Sequence, residues 1–310
     1  MFKTYKLPSY VEIVNNPYND EDSECLEGLR VDGEWHSDIG KYIKKYQIKA
    51  LYLNASTGWQ VRDYSFLKDL QHLVELRILD AKMKNVSAIE SLHNLKYLDI
   101  CYFPNEYIDF RKLSQLKTCS LGYPYDIDTL FELNTLESLS LDELKLKDYR
   151  VFEKLTNLKK LYIGNSSIST LDVLSKMTLI EELSLINCRK ISDFSQISLF
   201  KNLKYLDLRG CNKLVSIDFV SQLKNLEHLI LGHSNTIKSI KPLKNCSSLR
   251  IVALPNIIDG DLSPLENLKK LNTIFIQNRK HYTHKCIKKC WDDPNTPEPL
   301  IKKIVRGRTR

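Results

Sequence analysis

LFKNLKYLDLRGCNKLVSIDFVSQLKNLEHLILGH, residues Leu199 to His233, contains one phrase twice: KNLKYLDL, then KNLEHLIL 23 residues later. Extending that phase in both directions marks Leu73, Leu95, Leu116, Leu136, Leu158, Ile180, Leu203, Leu226, Leu249 and Leu271, at spacings of 22, 21, 20, 22, 22, 23, 23, 23 and 22. A degenerate copy, IKALYLN, starts at Ile48. At each mark the first, fourth and sixth residues are apolar, as in Leu95, Leu98 and Ile100 or Leu203, Leu206 and Leu208. Strand side chains alternate between two faces, so the fourth and sixth residues enter a core and those flanking them face outward.

A fixed period in the low twenties with an L-x-x-L-x-L core resembles the leucine-rich repeats. The second half of each unit, as in Ile191-Ser192-Asp193-Phe194-Ser195, is similar to the short-period class that includes internalins and the phosphatase-binding SDS22 type. The resemblance spans about three quarters of the chain. It implies an α/β leucine-rich repeat solenoid with a curved parallel β-sheet on the concave side and short helices or 3₁₀ turns on the convex side. Three regions follow: an N-terminal cap over 1–47, about eleven repeat units over 48–279, and a C-terminal cap and basic tail over 280–310.

Return segments carry their own apolar marks, such as Ile217, Phe219 and Leu223. Two look like capping boxes, Ser87-Ala88-Ile89-Glu90 and Ser263-Pro264-Leu265-Glu266, and predict helical turns there. In the family the eighth or ninth residue of a unit is usually a buried Asn or Cys bonded to the next coil. Cys188, Cys211, Ser166 and Ser234 occupy that place, whereas Leu144 and Pro124 break the ladder. Ahead of the repeats, Ser37 to Tyr46 reads as an amphipathic helix, and LPSYVEIV and LRVDG read as short strands around the acidic stretch Asn19 to Glu24.

The chain has 310 residues, is 43% hydrophobic, and carries a net charge of +8. From Glu266 onward twelve Lys or Arg stand against four Asp or Glu, so the excess is confined to the C-terminal end and the rest is neutral. A solvated basic tail is the expectation for Leu300 to Arg310, beyond a Pro-rich break. The sequence has no run of 18 apolar residues and no apolar core near its start, which predicts neither a membrane span nor a secretory leader. Eight scattered cysteines suit reduced thiols and a cytoplasmic setting. His281, His284, Cys286 and Cys290 offer donors that zinc accepts, but their spacing matches no zinc module, and the expectation is no metal and no other cofactor.

Catalytic signatures are missing: there is no G-x-S-x-G, Walker loop, H-E-x-x-H or dinucleotide fingerprint. A non-catalytic protein-recognition module, monomeric when unbound, is therefore the expected function. Its candidate contact residues on the concave face are Arg77, Tyr97, Asp99, Tyr102, Tyr123, Lys160, Tyr162, Glu182, Tyr205, Asp207, Arg209 and His228. Tyrosines among charges of both signs suit a protein interface, where aromatic and Arg anchors dominate. Specific versions are an immunity protein occluding a toxin's active site and a phosphatase-regulating subunit of the SDS22 type. A binder of nucleic acid or an anionic surface through the basic C-terminus is a further alternative.

Overall fold

A computed structural model describes residues 7–15, 22–25, 27–102, 106–124, 126–232, 236–286 and 304–306. The chain divides into two compact units, Met1–Lys145 and Leu146–Arg310.

In the first unit β1 (Val11–Asn15) runs antiparallel to β2 (Glu27–Val31). Helix α1 (Ser37–Lys45) follows and buries Ile39 and Ile43. Five more strands then stack in parallel: β3 (Ala50–Asn54), β4 (Glu75–Leu79), β5 (Tyr97–Ile100), β6 (Thr118–Gly122) and β7 (Ser138–Asp142). Parallel stacking begins one strand ahead of the first expected repeat, because β2 already pairs in parallel with β3. The register aligns Leu29, Leu51, Leu76, Leu98, Cys119 and Leu139 into one apolar row, and each is at most 1% exposed.

The second unit repeats the pattern with β8 (Lys160–Gly164), β9 (Glu182–Ile186), β10 (Tyr205–Asp207) and β11 (His228–Ile230). After them come β12 (Thr236–Ile237), β13 (Ile251–Ala253), β14 (Asn256–Ile257) and β15 (Thr273–Phe275). The parallel order is β8, β9, β10, β11, β13, β15, and β12 pairs separately with β14. Its core row is Leu161, Leu183, Leu206, Leu229, Val252 and Ile274. Finally β16 (His284–Cys286) pairs antiparallel with β17 (Ile304–Arg306). Part of the stretch expected to be a solvated tail is thus a paired strand.

Each return segment makes a 3₁₀ turn of three to six residues, for example Tyr149–Lys154 and Asp218–Gln222. Segments this short are bounded on both sides by strands and cannot reach the length at which an α-helix becomes favourable. Neither expected capping box forms. Glu90 instead accepts from the Asp109 amide and Lys112, and Glu266 bonds His284, so both carboxylates reach forward to the next coil. Turn starts are capped by aspartates two residues ahead of the amide they bind, as Asp63 does for Ser65, Asp109 for Arg111 and Asp148 for Arg150.

The coils are also stitched by side chains. Cys188 Sγ lies 3.5 Å from the Ile163 carbonyl and Cys211 Sγ 3.0 Å from that of Leu185, so both make the expected ladder bond, though to the preceding coil and not the next. Burial pushes the Cys211 thiol up to about 12, so it stays a protonated donor. Ser166 is buried and meets the Tyr149 hydroxyl; Ser234 lies outside the described residues. A second ladder had not been anticipated: Asn94, Asn202 and Asn225 each donate from Nδ2 to the carbonyls of Gln71, Thr178 and Lys201, one coil back. It is what fixes the asparagine of the recurring N-L pair.

Candidate functional site

Side chains on either side of the buried row form the outward sheet face. In the second unit the third positions read Lys160, Glu182, Tyr205, His228, Ile251 and Thr273, and the fifth positions Tyr162, Ser184, Asp207, Ile230, Ala253 and Phe275. Lys160, Tyr162, Glu182, Tyr205 and His228 are all half-buried, which leaves part of each in water. Lys160 Nζ is 3.5 Å from Glu182 Oε1, and the rings of Tyr205 and His228 meet edge to face with centroids 5.8 Å apart. Burial first, and then the neighbouring Asp207 charge, raise the Tyr205 phenol above its ordinary pKa, keeping it a neutral hydrogen-bond donor. From β8 to β15 the composition shifts from charged and aromatic to apolar.

Asp207 departs from the expected surface exposure. It is 1% exposed because Arg209 covers it, with Nε within 3.0 Å of both carboxylate oxygens. That hydrogen bond holds the guanidinium above its usual pKa, although Arg209 itself stays exposed to partners.

The first unit is organised differently. Arg77 is 4% exposed and Tyr97 6%, so two residues expected to be open are closed off, while Asp99 is half-buried. Residues 23–25 lie against their neighbours. Ser23 Oγ donates to Glu75 Oε2, Glu75 Oε1 accepts from Arg77 Nε at 2.7 Å, and the Arg77 guanidinium sits 4.1 Å from the Tyr97 ring centre. Cys25 packs with Ala50 and Tyr52, and Val14 and Val74 close the cluster. Glu24 bridges Lys96 at 2.7 Å and Lys117 at 3.6 Å. The clue in the sequence was the pairing of an acidic tract, Asp20-Glu21-Asp22-Ser23-Glu24, with a lysine at the second position of two successive units.

Those lysines belong to an alternating-charge row along the strand starts. In the first unit Lys117 lies 3.8 Å from Glu137; in the second, Lys204 lies 2.6 Å from Glu181 and Arg250 3.9 Å from Glu227. At the opposite strand ends of the first unit, Tyr102 and Tyr123 are 45% and 55% exposed and stack with centroids 6.0 Å apart. Tyr123 holds φ +54, a left-handed conformation that aromatic residues seldom adopt. Asn165 and Asn187 take the same conformation at the matching place in their coils, as does Gly210.

At the C-terminal end, His281 Nε2 lies 2.8 Å from the Ile257 carbonyl, and His284, 4% exposed, is 2.7 Å from Glu266. Both histidines are engaged in stabilising contacts between coils. The side chains of Cys286 and Cys290 lie outside the described residues. Among the described residues no group of three or more His, Cys, Asp or Glu is placed to hold a metal ion, and no helix is long and apolar enough to cross a membrane.

No family model and no curated protein matches the sequence. Among solved structures, the chain is similar to an internalin (inlF) from Listeria monocytogenes, at 19% identity over 75% of this chain and 81% of that one, with a TM-score of 0.51. It is also similar to a TDR receptor, at 19% identity, a TM-score of 0.57 and 78% coverage of this chain, although it spans only 45% of that receptor. A third similarity, at 20% identity and a TM-score of 0.51, is to the Arabidopsis receptor kinase HAESA leucine-rich-repeat ectodomain, solved with a peptide hormone; it covers 68% of this chain and 39% of that one. Together with the stacked parallel strands and 3₁₀ returns, these likenesses identify the fold as a leucine-rich repeat solenoid.

Proposed function

We propose that the chain is a non-catalytic protein-recognition module of the short-period repeat class and that it binds a partner protein on its outward, concave sheet face. The carrying observation is the open row of the second unit, where Lys160, Tyr162, Glu182, Tyr205, Arg209 and His228 present aromatic rings beside charges of both signs. Partly buried tyrosines lose little conformational entropy on binding, and flanking ion pairs orient the partner. The receptor ectodomain solved with a peptide hormone supports this reading, because the same fold holds a polypeptide there. Among the described residues Cys25, Cys101, Cys119, Cys188, Cys211 and Cys246 are thiols outside any disulfide, which supports a reducing compartment.

The test is capture of partners from the native cell, followed by titration of the captured protein against Tyr162→Ala, Tyr205→Ala and Arg209→Ala. Each tyrosine replacement should weaken binding on the order of thirtyfold. Parent-like affinity in all three variants would sink the assignment to this face.

A further inference from the structure

Four residues of the N-terminal region lie where the repeat pattern puts a binding surface. We propose that Asp22–Cys25 is a displaceable internal occupant of the first unit's sheet face, and that the surface beneath it docks an acidic peptide segment of a partner. This rests on the reading that the sheet face binds protein, and it supplies the chemistry of one partner segment.

The occupant shows what the surface accepts. A carboxylate, Glu24, sits between two ammonium groups, Lys96 at 2.7 Å and Lys117 at 3.6 Å. A hydroxyl, from Ser23, donates to Glu75. A small apolar side chain, Cys25, fills the space above Ala50 and Tyr52. Acidic, hydroxyl and small apolar groups therefore meet the sheet over four successive coils, in a short turn that Ser23 closes onto the Cys25 backbone.

Displaceability follows from the balance of contacts. Covering Glu75 and Arg77 removes two charges from water, a desolvation cost that works against their mutual pairing, the Ser23 hydroxyl and the ring contacts of Arg77 with Tyr97 and Tyr52. Uncovering them returns that hydration. The ion pairs holding Glu24 are themselves 36–47% exposed on all three side chains and contribute little each. The apolar contact of Cys25 in the cluster with Val14 is one that a competing segment can replace in kind. An ordinary solenoid cap would bury an apolar end of the core; this segment instead buries the polar outward face.

The experiment uses the full chain and, as probe, the labelled peptide NPYNDEDSECL, which copies residues 16–26. Parent and Ser23→Ala/Glu24→Gln are titrated with it under reducing conditions, and site-resolved thiol labelling of Cys25 is followed in parallel. The double variant should bind the peptide about tenfold more tightly than the parent. Its Cys25 should label faster by a similar factor while Cys211, buried in the core, stays protected. Adding Lys96→Glu and Lys117→Glu should abolish peptide binding. If Cys211 becomes reactive in the double variant, Glu24→Gln alone carries the same two readouts. Unchanged Cys25 protection would make the segment a permanent part of the fold and overturn the proposal. So would equal binding of a scrambled peptide, or faster Cys25 labelling without peptide binding. The partner titration against second-unit variants leaves residues 22–25 untouched, so either reading can fail alone.

Discussion

Arg209 folds back over Asp207 so that its Nη2 lies 2.6 Å from Oδ2, its Nε within 3.0 Å of both oxygens, and its own backbone amide 3.0 Å from Oδ1. Three hydrogen-bonding groups of one residue thus satisfy a carboxylate that is otherwise sealed by the sheet. The pair is asymmetric, since the Asp207 side chain is 1% exposed and that of Arg209 54%.

That asymmetry sets the first expected outcome. Asp207→Ala removes the buried acceptor and leaves the Arg209 amide without it, so stability should fall by about 1–3 kcal/mol. Arg209→Ala should cost less, because water can reach the vacated side of the carboxylate, and its ion pair is screened on the arginine's side. Denaturant melts of both single variants and the double variant check this; an Asp207→Ala protein as stable as the parent would show that the residue is an ordinary surface group.

Neighbouring positions on β10 separate recognition from folding. Tyr205 lies on the outward face and Leu206, 0% exposed, in the core row. Leu206→Ala should lower stability by about 2–5 kcal/mol through lost burial and a cavity. Tyr205→Ala loses the edge contact with His228 and should cost only about 1 kcal/mol. Its effect should instead appear in partner affinity. Equal losses of stability in the two variants would place Tyr205 in the core.

Strand phase and core row were legible because each repeats with the period, so Leu206 could be placed from spacing, whereas the place of Cys211 came from the resemblance to the repeat family. The Asp207 clamp was half legible: Asp-x-Arg recurs as Asp109-Phe110-Arg111 and Asp148-Tyr149-Arg150, with the aspartate accepting from the amide two residues on each time. Its burial was not, since exposure depends on where the Arg209 side chain folds. The placement of residues 23–25 against the sheet face was illegible for another reason. Ser23 and Glu75 are separated by 52 positions and Glu24 and Lys96 by 72, and no periodicity links a single segment to a repeated surface. The capping-box patterns marked helical turns that do form at Val86–Ser91 and Ser263–Leu265, but their glutamates bridge to the next coil.

Tyr123 provides a test of backbone strain against function. At φ +54 its Cβ is crowded, and Asn occupies the equivalent place at Asn165 and Asn187. Tyr123→Asn should therefore raise stability by up to about 1 kcal/mol, less whatever the exposed stack with Tyr102 contributes. If the tyrosine is retained for binding, the same variant should lose affinity for a partner while melting at a higher temperature. A lower melting temperature would show that the stack outweighs the strain.

The last expected outcome is a pH dependence carried by Glu24. Its hydrogen bond to Lys96, with the charges of Lys96 and Lys117, holds the carboxyl below its ordinary pKa in the folded chain despite some opposing desolvation. A depressed folded value means that the unfolded chain binds the proton more readily, so the contribution to stability is complete above the unfolded pKa of about 4.3. It is lost as the pH falls through the folded value. The control is Glu24→Gln, which cannot ionise but keeps the shape. Parent and variant should differ most in melting temperature near neutral pH, converge as the pH drops below about 4, and coincide once the parent carboxyl is fully protonated. Because Glu24 is largely solvated, the neutral-pH gap should be small and should shrink further in high salt. A gap that persisted unchanged into acid would mean that Glu24 acts through its packing on the sheet face and not through its charge.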